Sequence, residues 1–142
     1  GVDELHGTTR RNARTCFDHE NAPYSTMALG EVVNLPGKWS SYPPHWHPQP
    51  EVYFFRFDKP IGYGAGWING EVTEIKHNGL AVITEKPHPM VACPGYALCY
   101  TWGIRHLPGN PWEKTRIDDE THKWMLDPNA KIWDGESLDT LK

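Results

Sequence analysis

The sequence has no apolar run near the ~18 residues that cross a bilayer as a helix. Its first residues, GVDELHGTTRR, carry no apolar core of the kind a secretory leader uses. A soluble, cytoplasmic protein that does not meet a membrane is therefore expected. Excess positive charge is missing too: 14 Lys and Arg stand against 18 Asp and Glu, a net charge of -4. The basic side chains are scattered rather than gathered into a stripe, which excludes the electrostatic footprint of a nucleic-acid binder. Cysteine is scarce. Cys16, Cys93 and Cys99 make an odd count with no ladder of spacings, so a disulfide scaffold is excluded and three small buried hydrophobes are expected. Internal repeats, heptads and low-complexity tracts are also absent.

What the chain does have is punctuation. Its 13 Pro and 13 Gly break the middle into the short runs Ala28–Val33, Glu51–Phe57, Ile61–Trp67, Glu71–Lys76, Leu80–Thr84 and Tyr96–Gly103. Short runs at such spacing predict an all-β sandwich or barrel, and 142 residues suit one domain spanning residues 1–142. In EVYFFRF both parities are largely apolar, which predicts a central strand covered on both faces. Asn69-Gly70 between two strand-like runs is a hairpin signal. Residues 112–126 mix Trp112, Ile117, Trp124 and Met125 with charges behind Asp118 and Asp119, and predict a short C-terminal helix laid on the sheet. Residues 1–24 are polar, with two expectations open: an edge strand or an arm reaching to a partner.

The chemistry gathers in SSYPPHWHPQPEVYFFRF, where His45, His47 and Glu51 stand as H-x-H-x-x-x-E. Alternate residues of an extended chain share a face, so His45 and His47 can grip one ion. A continuous strand would carry Glu51 ~20 Å from His45, too far to share that ion. The chain must turn back, and Pro48-Gln49-Pro50 is where it can, with the strand from Glu51 returning beside the first. A fourth donor is expected from a distant strand. His88, held between Pro87 and Pro89, is the choice, because flanking prolines restrict the backbone and so aim the ring. Three imidazoles and one carboxylate predict one divalent transition metal per chain, among Zn, Mn, Fe, Co and Ni. His6, His19 and His122 read as surface residues and His77 as part of a turn, while His106 could reach a barrel mouth.

The stretches WSSYPPHWH, EVYFFRF and HPMVACPGYALCY resemble the metal-binding cupin of the 5-deoxy-glucuronate isomerases of inositol breakdown; the 5-keto-4-deoxyuronate isomerases share the general plan. The resemblance covers about residues 8–133. It implies a cupin fold, a double-stranded β-helix or jelly-roll barrel, and sets His45, His47, Glu51 and His88 on the family's four metal ligands. Where the family usually approaches its last histidine through Pro-x-Gly-Tyr, this chain reads Thr84-Glu85-Lys86-Pro87, so a different wall beside His88 is expected. Family members carry two cupins in a chain of about double this length, and the match is to the C-terminal one. The expectation is a stand-alone cupin or half of a double one, with a homodimer or other homo-oligomer supplying the missing face.

The implied activity is a metal-dependent aldose–ketose isomerisation of a uronate or deoxy-keto sugar acid. The alternatives are a cupin dioxygenase with the same metal site and a non-catalytic sugar-acid-binding cupin. With Glu51 taken by the ion, Tyr53, Lys86 and His106 are the expected proton-transfer residues. Arg105, Trp102, Tyr100 and Tyr63 are expected at the substrate. Arg105 is preferred to Arg56 as a carboxylate clamp because Arg56 has the opposite parity to Glu51.

Overall fold

The computed structural model describes residues 5–133. Its strands are β1 (Arg11–Phe17), β2 (Met27–Asn34), β3 (Trp39–Ser40), β4 (His45–Trp46), β5 (Glu51–Phe57), β6 (Tyr63–Ile68), β7 (Glu71–Lys76), β8 (Leu80–Ile83), β9 (Met90–Ala92), β10 (Leu98–Arg105) and β11 (Ile117–Asp118). They form a five-stranded sheet in the order β1-β2-β10-β5-β8, a four-stranded sheet β3-β9-β6-β7, and a small ribbon of β4 with β11. Every pairing is antiparallel.

Side chains alternate along a strand, so each sheet gives one face to the interior. From β5 these are Tyr53, Phe55 and Phe57, and from β10 Leu98, Tyr100, Trp102 and Ile104. They meet Ile75, Met90 and Ala92 of the smaller sheet in one buried cluster. Fully burying each of the larger apolar side chains contributes ~1.5–3 kcal/mol. Asn34, Ser40 and Tyr100 are linked inside this core: Asn34 Nδ2 donates to Ser40 Oγ at 3.0 Å and the Tyr100 hydroxyl donates to the same oxygen at 2.8 Å. Asn69 and Gly70 turn β6 into β7 with φ of 52° and 88°, the left-handed pair that a tight two-residue hairpin requires.

Several expectations change. The outer face of β5 is bare, with Val52 42% and Phe54 41% exposed. Its double apolar parity marks a strand with a core on one side, not layers on both. Residues 112–126 hold no α-helix. Ile117–Asp118 pairs with β4, and only Lys123–Leu126 makes a single 3₁₀ turn. Asp119 Oδ1 accepts the backbone N–H groups of Thr121 and His122, which commits them to a local turn, and Pro128 disfavours continuation beyond Asp127. The polar N-terminal segment contributes β1, an edge strand. The cysteines are not buried: Cys16 is exposed and Cys93 and Cys99 are half-buried. No helix among the described residues is long and apolar enough to cross a membrane.

Candidate metal centre

Glu51 opens β5 with its carboxylate on the same inward face as Tyr53. Pro48-Gln49-Pro50 does bend the chain before it, but β4 does not return beside β5. Instead β4 pairs with β11, His45 opposite Asp118 and Trp46 opposite Ile117. The bend is held by Gln49, fully buried, whose Nε2 donates to the carbonyls of Asn110 and Pro111 at 3.1 and 3.4 Å. This crossing from ribbon to sheet brings His47 over Glu51, Nε2 to Oε2 at 3.3 Å, while His88 approaches the same oxygen from the segment before β9, also at 3.3 Å. Donor atoms of His47, Glu51 and His88 all lie within 4.8 Å of one another, and all three residues are buried. His45 lines the same pocket, its ring 6.1 Å from that of His88, without joining that tight group.

Backbone carbonyls set the rings. His45 Nδ1 lies 2.8 Å from the Pro43 carbonyl and His88 Nδ1 lies 2.9 Å from that of Lys86. A carbonyl only accepts, so Nδ1 carries the proton in each and Nε2 keeps its lone pair for a ligand. His47 Nδ1 and Glu51 Oε2 are buried without a well-directed hydrogen bond, a costly state for polar atoms in a folded interior. A cation among the converging donors would relieve Glu51 Oε2, the oxygen that His47 Nε2 and His88 Nε2 face, and the set of imidazoles plus one carboxylate suits a divalent transition ion. The residues therefore fit a metal.

The surrounding acid–base chemistry follows from burial. Burial lowers His45 to about 4, leaving it neutral at pH 7. Burial also pushes the Glu51 carboxyl up, but its contacts with His47 and His88 outweigh that and hold it below the usual carboxylate range. Burial, with the Glu51 charge adding to it, raises the Tyr53 phenol well above its ordinary value. Tyr100 is pushed up to about 12 by burial.

The pocket has a volume of about 260 Å³, and Tyr53, Tyr100 and Trp102 are among its lining residues. Trp102 fits because position 30 is glycine: a Cβ there would overlap its indole. Four expected residues lie elsewhere. Lys86 is exposed and its side chain lines a separate outer cleft, so only its carbonyl serves His88. Arg105 has the outward parity of β10, opposite to Trp102 and Ile104. Tyr63 is 48% exposed on the smaller sheet, its ring beside Tyr96. His106 braces a loop, its Nδ1 accepting the Trp112 N–H at 3.0 Å, with its ring against His19. The cations at the pocket are Arg11, Lys114 and Arg116. Lys114 is engaged by Asp18 and Glu20, and Arg116 by Asp118. These cations sit in polar segments without periodicity, and only tertiary folding brings them to the pocket.

The family model for the KduI/IolB family matches residues 4–125. A 5-deoxy-glucuronate isomerase of Geobacillus thermodenitrificans is 26% identical over 117 residues, covering 66% of this chain and 43% of the relative. One from Bacillus subtilis is 22% identical over 135 residues, covering 84% of this chain and 49% of the relative. The chain thus spans about half the length of the curated relatives it matches. An IolB-like protein of Salmonella typhimurium superposes with a TM-score of 0.75 at 20% identity, over 84% of this chain and 50% of that one. A cupin-2 domain from Rhodospirillum rubrum superposes with a TM-score of 0.56 at 16% identity, over 83% of this chain and 72% of that one. The architecture is a cupin, and on the match of residues 4–125 the chain belongs to the KduI/IolB family.

Proposed function

We propose that residues 1–142 form a single cupin unit that is a metal-dependent aldose–ketose isomerase of a uronate or deoxy-keto sugar acid. The observation that carries the reading is the buried convergence of His47, Glu51 and His88 at a pocket floor. With His45 as fourth donor, these residues would hold one divalent transition ion, Zn, Mn, Fe, Co or Ni. When bound, such an ion supplies Lewis-acid polarisation of adjacent carbonyl and hydroxyl oxygens. The 5-deoxy-glucuronate isomerase relatives support a sugar acid as the substrate class.

The chain's own residues divide the remaining work. Arg11 and Arg116, the latter held by Asp118, line the pocket and take the place expected of Arg105, pairing with the sugar carboxylate. Trp102 and Trp112, edge to face at 5.6 Å, give the sugar ring an apolar wall that excludes water. Tyr53 is the one expected proton-transfer residue at the pocket. Its raised pKa keeps the phenol protonated at neutral pH, so it holds a proton against a substrate oxygen rather than removing one from carbon. In the reaction a proton leaves the carbinol carbon and one is gained by the former carbonyl carbon, while the hydroxyl proton passes to the carbonyl oxygen.

NMR of the metal-replete protein with a panel of uronates and deoxy-keto-uronates in D₂O tests the reading. Appearance of the partner ketose or aldose with deuterium at carbon is expected. Oxygen consumption without an isomer would replace the isomerase by a dioxygenase, and binding with no turnover would leave a sugar-acid-binding protein.

A further inference from the structure

Two serines stand side by side where the chain leaves β3, and both turn inward. Consecutive side chains of an extended chain point to opposite faces. Ser40 is fully buried, and its Oγ accepts from Asn34 and from the Tyr100 hydroxyl. Ser41 breaks the alternation. Its backbone is left-handed, with φ of 51°, and its hydroxyl comes to the same side, at the wall of the metal pocket and within hydrogen-bonding reach of the Tyr53 and Tyr100 phenols. This backbone region is free for glycine and strained for a residue with a Cβ. Among the described residues, Asn69 and Asn78 adopt it in Asn-Gly turns and Leu5 and His6 in a turn before β1, whereas Ser41 and Lys114 adopt it at the pocket. Strain of this kind gathers at functional sites, where a side chain must be aimed.

Ser41 is aimed at two phenol oxygens. The Tyr100 proton is spent on Ser40 Oγ at 2.8 Å, and that oxygen, with Asn34 Nδ2 on it at 3.0 Å as well, has no lone pair left for another donor. The Tyr53 ring lies 4.6 Å from that of Tyr100. Its hydroxyl also faces Glu51, whose carboxylate only accepts and so draws the phenol proton toward the pocket floor. Both phenol oxygens are then left with lone pairs, and the Ser41 hydroxyl is a donor that both face. We infer that Ser41 is a positioning residue: its hydroxyl donates to the paired oxygens of Tyr53 and Tyr100 and so keeps the Tyr53 O–H turned into the pocket. What Tyr53 then holds its proton against, a substrate oxygen, rests on the isomerase reading; the contact itself does not.

Two substitutions separate this role from a need for the turn alone. Ser41→Gly removes the hydroxyl and suits the left-handed backbone, whereas Ser41→Ala removes the hydroxyl and keeps the strain. In the metal-replete full chain both are expected to lower kcat about tenfold, with KM within threefold and metal content unchanged, although Ser41→Gly unfolds at the higher temperature of the two. A Ser41→Gly protein with kcat within twofold of wild type would overturn the inference, because the turn alone would then be what position 41 supplies. Should the wild type turn over none of the sugar acids, the isomerase reading falls and the contact is decided without it. In protein labelled with ¹³C at tyrosine Cζ, the Tyr53 resonance, assigned by its loss in Tyr53→Phe, should move in Ser41→Gly while that of Tyr63 on the smaller sheet stays in place. A Tyr53 resonance that does not move would overturn the inference whatever the turnover. If one of the two variants does not fold, the other carries both readings.

Discussion

Two clefts flank the segment Pro87-His88-Pro89, and the larger is the less informative. The outer one, about 590 Å³, is walled by Trp39, Tyr42 and Trp67 with Lys86, Asp119 and His122 around it. Its rings touch at 5.5 and 5.6 Å, and its polar groups reach water. The inner one, about 260 Å³, is less than half that size, yet it contains buried polar atoms with no directed partner, His47 Nδ1 and Glu51 Oε2. Volume reports where something fits; stranded donors report where something is needed. The outer cleft satisfies itself with solvent, whereas at the inner one a cation would complete Glu51 Oε2.

The largest effect expected from this contrast is at Glu51. Glu51→Ala removes the oxygen that both His47 and His88 approach, and elemental analysis should show metal falling from about one per chain to near zero, with activity lost alongside. Retention of a full equivalent would remove the carboxylate from the ligand set. The metal-free protein should also lose stability in acid. Burial holds His45 at about 4 against an ordinary 6.5, so below pH 6.5 the unfolded chain takes up a proton that the folded chain refuses. Stability therefore declines as pH falls from about 6.5 to about 4, by on the order of 2 kcal/mol, and is flat in this group below that. Urea midpoints measured across this range in chelator should show the decline, and His45→Asn should flatten it.

Gly30→Ala probes the inner cleft from behind. The added methyl would overlap the Trp102 indole, and overpacking of this kind costs ~1–3 kcal/mol. Thermal unfolding should drop by several degrees, with the tryptophan emission shifted. The smallest effect is expected on the far side of His88: Trp67→Ala, at the outer cleft, should leave metal content unchanged and turnover within twofold. A tenfold loss of turnover would mean that the outer cleft, too, meets the substrate.

The contrast also shows which signals the sequence held. Glu51–Phe57 and Glu71–Lys76 match β5 and β7 end to end, because alternation and the Asn-Gly turn are local and strong. Strands β3, β4 and β11 have only two residues each, too few for any period to register. Ligand spacing was legible through proline and parity, but the partner of β4 was not, since pairing with Ile117–Asp118 is settled by residues about 70 positions away. Arg105 shows the limit of parity: counted from Trp102 it faces outward, while Arg11 and Arg116 reach the pocket from irregular or edge segments. Lys86 keeps the right distance from His88 along the chain, yet contributes a backbone carbonyl where an ammonium was expected.

Gln49 lies between His47 and Glu51, and its amide clasps the carbonyls of Asn110 and Pro111, immediately before Trp112, whose ring stands 6.1 Å from that of His47. Two candidate ligands and the pocket's tryptophan wall are thereby stitched at a single knot. The same two hydrogen bonds thus fix the approach of His47 to Glu51 and the position of the Trp112 ring over the pocket, so a change at Gln49 would disturb the donor set and the enclosure of the cavity together.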